Sequence, residues 1–191
     1  MLQVDNVLII DLDGTLVKTN TTFEFMKMLC PLRYAIFSRL FKPILLLNII
    51  FKKDFYKLMM IMICLKGRKK ENLERYAKIY YEMIKKNQSK YYNANVLNLL
   101  QAKTYKARVL LTASLDFIAN NFKELGFNFI IASKTRYKNK KFHFFFDLYR
   151  RKSEVIKVFS KYFDNIFIID DDPEPTFHTF NKKVIVMRPS E

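Results

Sequence analysis

Cysteine and glycine are scarce in this chain, and acidic residues are heavily outnumbered. Two cysteines in 191 residues, Cys30 and Cys64, cannot build the disulfide framework that staples small secreted domains. They point instead to a reducing cytosol. The opening residues read as a strand-like segment, not as a basic stretch followed by an apolar core, so no secretory signal is expected. Three glycines leave no Gly/Ser-rich linker, and no internal repeat is visible. The length suits one domain with a modest insertion. No apolar run reaches the roughly 20 residues needed to cross a bilayer as a helix. Acids number 18 against 34 Lys plus Arg, for a formal net charge of +16. A basic chain invites a nucleic-acid partner. Here, however, the cations are interleaved with long aliphatic runs and no nucleic-acid-binding motif is visible, so nucleic acid ranks well below a lipid surface. An AT-rich coding bias would also produce the observed richness in Lys, Asn, Ile, Phe and Tyr.

Half of the residues are apolar, enough for a proper core. The most informative run is Val7-Leu8-Ile9-Ile10-Asp11-Leu12-Asp13-Gly14-Thr15-Leu16. Its apolar start has the pattern of a strand buried on both faces of a parallel sheet. Ligands of open α/β sheets sit at the carboxyl ends of strands, where Asp11 and Asp13 stand. Two residues apart, both acids can face one cleft. Gly14 permits a tight turn there.

Asp-Leu-Asp-Gly-Thr-Leu resembles the first motif of the haloacid dehalogenase (HAD) superfamily of phosphohydrolases. The resemblance implies that Asp11 attacks phosphorus and becomes an aspartyl phosphate, while Asp13 protonates the leaving oxygen and then activates water. The chemistry suits the residues: a carboxylate can act as a covalent nucleophile, and a second carboxyl beside it can trade protons. The family's later motifs follow in order. Ala107 to Ser114 reads as a second apolar strand ending in hydroxyl residues, which makes Thr112 the phosphoryl-binding hydroxyl and leaves Ser114 to assist or to cap a helix from Leu115. Lys152 opens an amphipathic helix and is the choice for the phosphate-neutralising lysine. Arg150 and Arg151 compete for that role, with Lys141 a remote candidate. After the strand Asn165–Ile169 comes Asp170-Asp171-Asp172-Pro173-Glu174, where the family holds Mg²⁺. Adjacent acids at a strand end repel one another without a cation, and Mg²⁺ favours a few carboxylate oxygens. The expected metal set is Asp11, Asp13, Asp170, Asp171 and Glu174. The segment lacks the common glycine of that motif.

The coarse order is strand 6–10, a helical block 21–104, strand 107–111, helix 115–125, strand 128–132, a basic segment 134–151, helix 152–162, and strands 165–169 and 182–187. The run Phe127 to Phe146 suggests a strand followed by a hairpin. Alternating strands and helices argue a parallel three-layer α/β core. The resemblance implies a HAD-like Rossmannoid fold: a core of residues 1–20 and 105–191, and a helical cap of residues 21–104 inserted after the first strand.

Residues 31–70 hold ten Lys or Arg and one acid, Asp54. Among them lie two apolar runs, Ile44–Phe51 and Leu58–Leu65, separated by Lys52, Lys53, Asp54 and Lys57. Each is about half of a membrane span. Short apolar helices with cationic ends suit a membrane interface, and anionic leaflets attract such cations. The competing reading makes both runs part of the cap's own core, with methionine filling irregular gaps. The cap pattern, including Pro31 and Lys66-Gly67-Arg68, resembles the membrane-associated branch of the phosphoserine-phosphatase-like HAD enzymes. That branch includes bacterial phosphatidylglycerophosphate phosphatases and HAD domains fused to membrane prenyltransferases. Phosphoserine phosphatase itself carries a Glu nine residues after its nucleophile; Asn20 stands there here. The expectation is therefore a Mg²⁺-dependent phosphatase acting on a phosphorylated lipid at an anionic membrane surface, cytoplasmic and peripheral. The alternatives are a soluble phosphatase for a small phosphorylated molecule, and a non-enzymatic HAD-fold module for a membrane or partner.

Overall fold

The computed structural model describes residues 5–44, 54–102, 104–179 and 183–189. Strand β1 (Asn6–Ile10) lies at the centre of a six-stranded sheet. Its side chains alternate between two apolar clusters: Leu8 and Ile10 join one, Val7 and Ile9 the other. A strand covered on both faces needs apolar residues at every position, which accounts for the unbroken run. Strand β2 (Ala107–Leu115) pairs parallel with β1 on one side and β5 (Asn165–Ile169) on the other. Beyond β2 lies β3 (Phe129–Lys138), also parallel; beyond β5 lies β6 (Lys183–Met187), parallel again. The edge strand β4 (Lys141–Phe146) runs antiparallel to β3.

Three expected bounds shift. The second strand continues past Leu111 to Leu115, with a register irregularity between Thr112 and Leu115. Much of the basic segment 134–151 is strand: Lys138 pairs with Lys141 across a two-residue turn in which Asn139 and Lys140 have φ of 50° and 60°. That positive-φ pair is the turn that matches the twist of a hairpin. The helix starting at Lys152 stops at Phe159, not at residue 162.

Among the described residues, six helices lie between β1 and β2: α1 (Thr21–Leu29), α2 (Pro31–Leu40), α3 (Phe55–Leu65), α4 (Lys70–Lys86), α5 (Gln88–Tyr91) and α6 (Ala94–Gln101). After β2, α7 (Asp116–Ala119) runs into a 3₁₀ turn, Asn120–Leu125. Helix α8 (Lys152–Phe159) precedes β5. Helix α4 is amphipathic, burying Leu73, Ala77, Tyr80, Tyr81 and Ile84 at helical spacing. These side chains join Phe25 of α1, Phe117 of α7 and Leu110 of β2 in one cluster. On the opposite face Ile156 of α8 packs with Val7, Ile9, Val109 and Ile168. The sheet is thus the middle layer of three.

Helix α3 departs from the interfacial expectation for the run 58–65. Met60, Ile61, Cys64 and Leu65 are buried in the same cluster as the sheet residues. Lys57, one of the charged residues that separate the two apolar runs, is buried as well. The other run lies outside the described residues except for Ile44. No helix among the described residues is long and apolar enough to cross a membrane.

Candidate active site

The carboxyl ends of β1 and β5 are adjacent, so the acids that follow each strand meet. Asp11 donates its N–H to the Ile169 carbonyl, 2.9 Å away, which brings the start of the first loop against the end of β5. Asp11, Asp170 and Asp171 each offer a carboxylate oxygen, and these oxygens lie within 4.8 Å of one another. Like charges at that range are costly unless a cation offsets them. Lys152 supplies one. Its Nζ stands 2.9 Å from Asp11 Oδ1 and 2.8 Å from Asp170 Oδ2, with both acids buried. Helix α8 delivers this lysine as its first residue. Arg151, the adjacent competitor, pairs instead with Glu154 at the surface. Arg150 lines the cavity and stacks on the Tyr149 ring, while Lys141 belongs to the distant β4 edge.

Gly14 has φ of +76°, and a Cβ built there would sit 2.3 Å from Asp171 Oδ2. Only glycine fits, because the first loop must press against the fourth-motif acid. Thr15 locks the same contact: its hydroxyl donates to Asp171 Oδ1 and accepts from the Asp171 N–H, at 3.1 and 3.0 Å.

Asp13 sits apart from the three-carboxylate cluster. Its Oδ1 accepts from the Thr21 N–H and hydroxyl, at 2.8 and 2.6 Å, at the start of α1. The Ser114 hydroxyl bonds both Thr21 and Thr22, at 2.8 and 3.0 Å, and its N–H donates to Thr112 Oγ1 at 3.0 Å. Ser114 therefore ties α1 to the end of β2; it does not cap α7, whose N-terminal position is Leu115. Thr112 is fully buried yet lines the cavity, and its O–H donates to no described protein group. Glu174 also lies outside the cluster. Its two carboxylate oxygens accept the N–H groups of Lys152 and Ser153, at 2.8 and 3.1 Å, which caps α8.

Burial dominates the acid–base character. It pushes Asp11 up from 3.8 to about 7, opposed by Lys152 and reinforced by the charges of Asp170 and Asp13. Asp13 is raised by burial too, with the Thr21 hydrogen bonds and the charges of Lys57 and Lys152 working against it. Burial alone would lower Lys152, but the carboxylates of Asp11 and Asp170 outweigh it and hold the ammonium charged. Asp11 Oδ1 is buried without a well-aligned hydrogen bond, although the Lys152 ammonium stands beside it. A buried carboxylate facing two more acids, with one ammonium shared among them, is a donor set that a hard divalent cation takes. The residues present therefore fit Mg²⁺, with Asp11, Asp170 and Asp171 as the group that could hold it.

Two further residues shape the site. Lys57 Nζ donates to the Ala113 carbonyl at 2.7 Å and to Asp147 Oδ1 at 2.8 Å. Ser133 and the Tyr149 N–H donate to that same Asp147 oxygen, both at 3.2 Å. This fastens α3 to the residue after Thr112 and to the loop leading to Lys152. The spacing of Lys57 with Ile61 and Cys64 was a legible sign that it shares α3's inward face. Nothing local marked Asp147 or Thr21. The surrounding cavity has a volume of about 520 Å³, and among the described residues its aliphatic lining consists of Ala113, Pro173 and Pro175. Asn20 lines it while capping α1 through the Phe23 N–H.

Solved structures share this architecture. A HAD family hydrolase from Salmonella enterica serovar Typhi superposes with a TM-score of 0.59 at 13% identity, over 91% of this chain; the chain spans 59% of that protein's length. A substrate-bound phosphoserine phosphatase gives 0.61 at 16% identity, over 95% of this chain and 85% of the other. A phosphoserine phosphohydrolase-like protein from Francisella tularensis gives 0.62 at 16%, over 96% and 87%. At these identities the likeness is one of fold. No curated protein matches the sequence. The family model for haloacid dehalogenase-like hydrolases matches residues 8–157, a stretch that runs from β1 through Asp11 and Thr112 to Lys152 and most of its helix. With that span and this sheet topology, the chain belongs to the haloacid dehalogenase-like hydrolases.

Proposed function

We propose that the chain is a Mg²⁺-dependent phosphomonoesterase working through a phosphoryl group carried on Asp11, with residues 21–104 as a cap over a core of 1–20 and 105–191. The observation that carries this reading is Lys152 Nζ bridging Asp11 and Asp170 beside Asp171. A nucleophilic carboxylate must approach an anionic phosphate, and the ammonium offsets both charges at the point of attack. Asp11 forms the new oxygen–phosphorus bond as the bond to the substrate's alcohol oxygen breaks. Asp13, which burial inclines to hold a proton, gives it to that oxygen. Water then attacks the phosphorus of the aspartyl phosphate, Asp13 takes its proton, and inorganic phosphate leaves with Asp11 restored. The Thr112 hydroxyl is free to donate to a phosphoryl oxygen throughout. Thr21 holds Asp13 toward the cleft. Mg²⁺, held by Asp11, Asp170 and Asp171, would offset charge on the phosphoryl oxygens.

A lining rich in charged and hydroxyl-bearing side chains favours a small phosphorylated molecule as substrate. A lipid phosphate with only its headgroup inside is the second reading, favoured by the exposed apolar face of α2 described below. Turnover of a panel of soluble and lipid phosphomonoesters, with Mg²⁺ and with EDTA, tests both readings. Asp11→Asn should abolish release of phosphate from every substrate while the protein stays folded. Phosphate release by that variant near the wild-type rate removes the covalent mechanism.

A further inference from the structure

Helix α2 is apolar on two sides, and the described residues cover only one. Tyr34, Phe37 and Phe41, at its end, are partly buried against the main apolar cluster. Leu32, Ile36 and Leu40 follow each other at four-residue intervals on another face and stay 79%, 63% and 62% exposed. No residue of α2 is fully buried. Three large aliphatic side chains in one ridge are an unusual outlay on a surface unless something covers them. The charges around the ridge identify what does. At 100° per residue Arg39 falls on one flank of the Leu32–Ile36–Leu40 stripe and Arg33 on the other. Lys42 follows, and no acid occurs between Pro31 and Ile44.

We propose that this face of α2 docks the protein onto an anionic membrane surface, its three aliphatic side chains entering the interface and its arginines meeting lipid phosphates. An apolar stripe edged by cations is the pattern by which a helix lies in a bilayer interface. A second copy of the chain suits it poorly, since a two-fold contact would set the same arginines against each other. The anchor is α2, not α3, whose apolar run is spent on the core. Cys30 alone separates α2 from α1, and α1 begins at the threonine that holds Asp13. A membrane contact at α2 is therefore one helix from the cleft. The inference does not depend on which phosphomonoester is cleaved.

The test is co-sedimentation of the full chain with phosphatidylcholine vesicles, with and without phosphatidylglycerol, at about 0.05 M and about 0.5 M salt, between which surface charge is strongly screened. The wild type should sediment with anionic vesicles at low salt and far less at high salt or with neutral vesicles. Leu32→Ser, Ile36→Ser and Leu40→Ser together should weaken partitioning by roughly tenfold or more, as expected for the lost apolar area. Arg33→Glu with Arg39→Glu should remove the preference for anionic lipid, and serves if the triple variant fails to fold. Circular dichroism and hydrolysis of p-nitrophenyl phosphate should be unchanged in both, which separates failed docking from failed catalysis. A wild type that stays in the supernatant, or a triple variant that sediments like wild type, overturns the proposal. So does self-association that the triple variant abolishes without any vesicle binding.

Discussion

Replacing Lys152 by Met probes the centre of the site most directly. The ammonium is the shared partner of Asp11 and Asp170, both buried. Removing one member of a buried ion pair leaves uncompensated charge and costs about 3–5 kcal/mol. In a domain of this size each kcal/mol moves Tm by about 2–4 °C, so metal-free Lys152→Met should melt roughly 6–20 °C below wild type near pH 8. The stranded Asp11 carboxyl can escape by taking up a proton. Losing the lysine removes the charge that holds the Asp11 pKa down, so the folded variant binds more protons than its unfolded chain as pH rises from about 4, and stability falls with pH. The deficit should therefore shrink toward pH 5. Turnover should fall by roughly 10²–10³, the usual cost of losing one preorganised charge at a reacting oxygen. Differential scanning fluorimetry in EDTA across pH, and steady-state hydrolysis of an aryl phosphate in Mg²⁺, measure the two effects. Arg151→Met, which loses only an exposed pair with Glu154, should leave Tm unchanged. If Lys152→Met melts within about 2 °C of wild type at pH 8 and turns over within about threefold, Lys152 is a solvated surface cation and the site has been misread.

Mg²⁺ should raise the wild-type Tm because it binds only the folded cluster, and Asp170→Ala should erase that rise. Glu174→Gln should keep the Mg²⁺ response while losing about 0.5–2 kcal/mol of stability through the α8 cap; an absent response there would return Glu174 to the metal set. Gly14→Ala forces an L side chain to φ of +76°, about 1–2 kcal/mol by itself, and drives its Cβ into the Asp171 carboxylate. The Mg²⁺ response should vanish with it, and a wild-type response in this variant would place the metal elsewhere. Folded Asp11 holds its proton to about 7 whereas the unfolded chain releases it near 3.8, so Asp11 costs the wild type stability as pH rises through that window. In EDTA the Tm of Asp11→Asn minus that of wild type should therefore grow from pH 4 to pH 7; a flat difference would mean that Asp11 is not held in a desolvating site.

Local patterning carried the skeleton of the candidate site, because its residues are adjacent in sequence or sit at strand and helix ends. An apolar run buried on both faces marks a central parallel strand, and the acids after it must lie at the sheet's carboxyl edge. Asp11, Thr112, Lys152 and Asp170 were legible as strand-end or helix-start residues, and the family resemblance singled them out among such residues; they line one cavity. Helix α4 fell inside the helical block 21–104, whose division into separate helices was not read. Pairings between distant segments were not legible. Gly14 and Thr15 clasp Asp171 across the gap between two loops. Thr21 takes hold of Asp13, Ser114 links α1 to β2, and Glu174 leaves the acidic row to cap α8. In each case a polar group is satisfied by a partner that only packing brings near, and one-dimensional spacing holds no record of it. The two faces of the cap differ for the same reason. Composition alone marked residues 31–70 as basic and apolar. Only the tertiary structure decided that α3 spends its apolar side chains and Lys57 inward, against the sheet and Asp147, while α2 keeps Leu32, Ile36 and Leu40 in water. Hydrophobic burial is non-directional, so a sequence states how much apolar surface must be covered, and packing determines which helix remains uncovered.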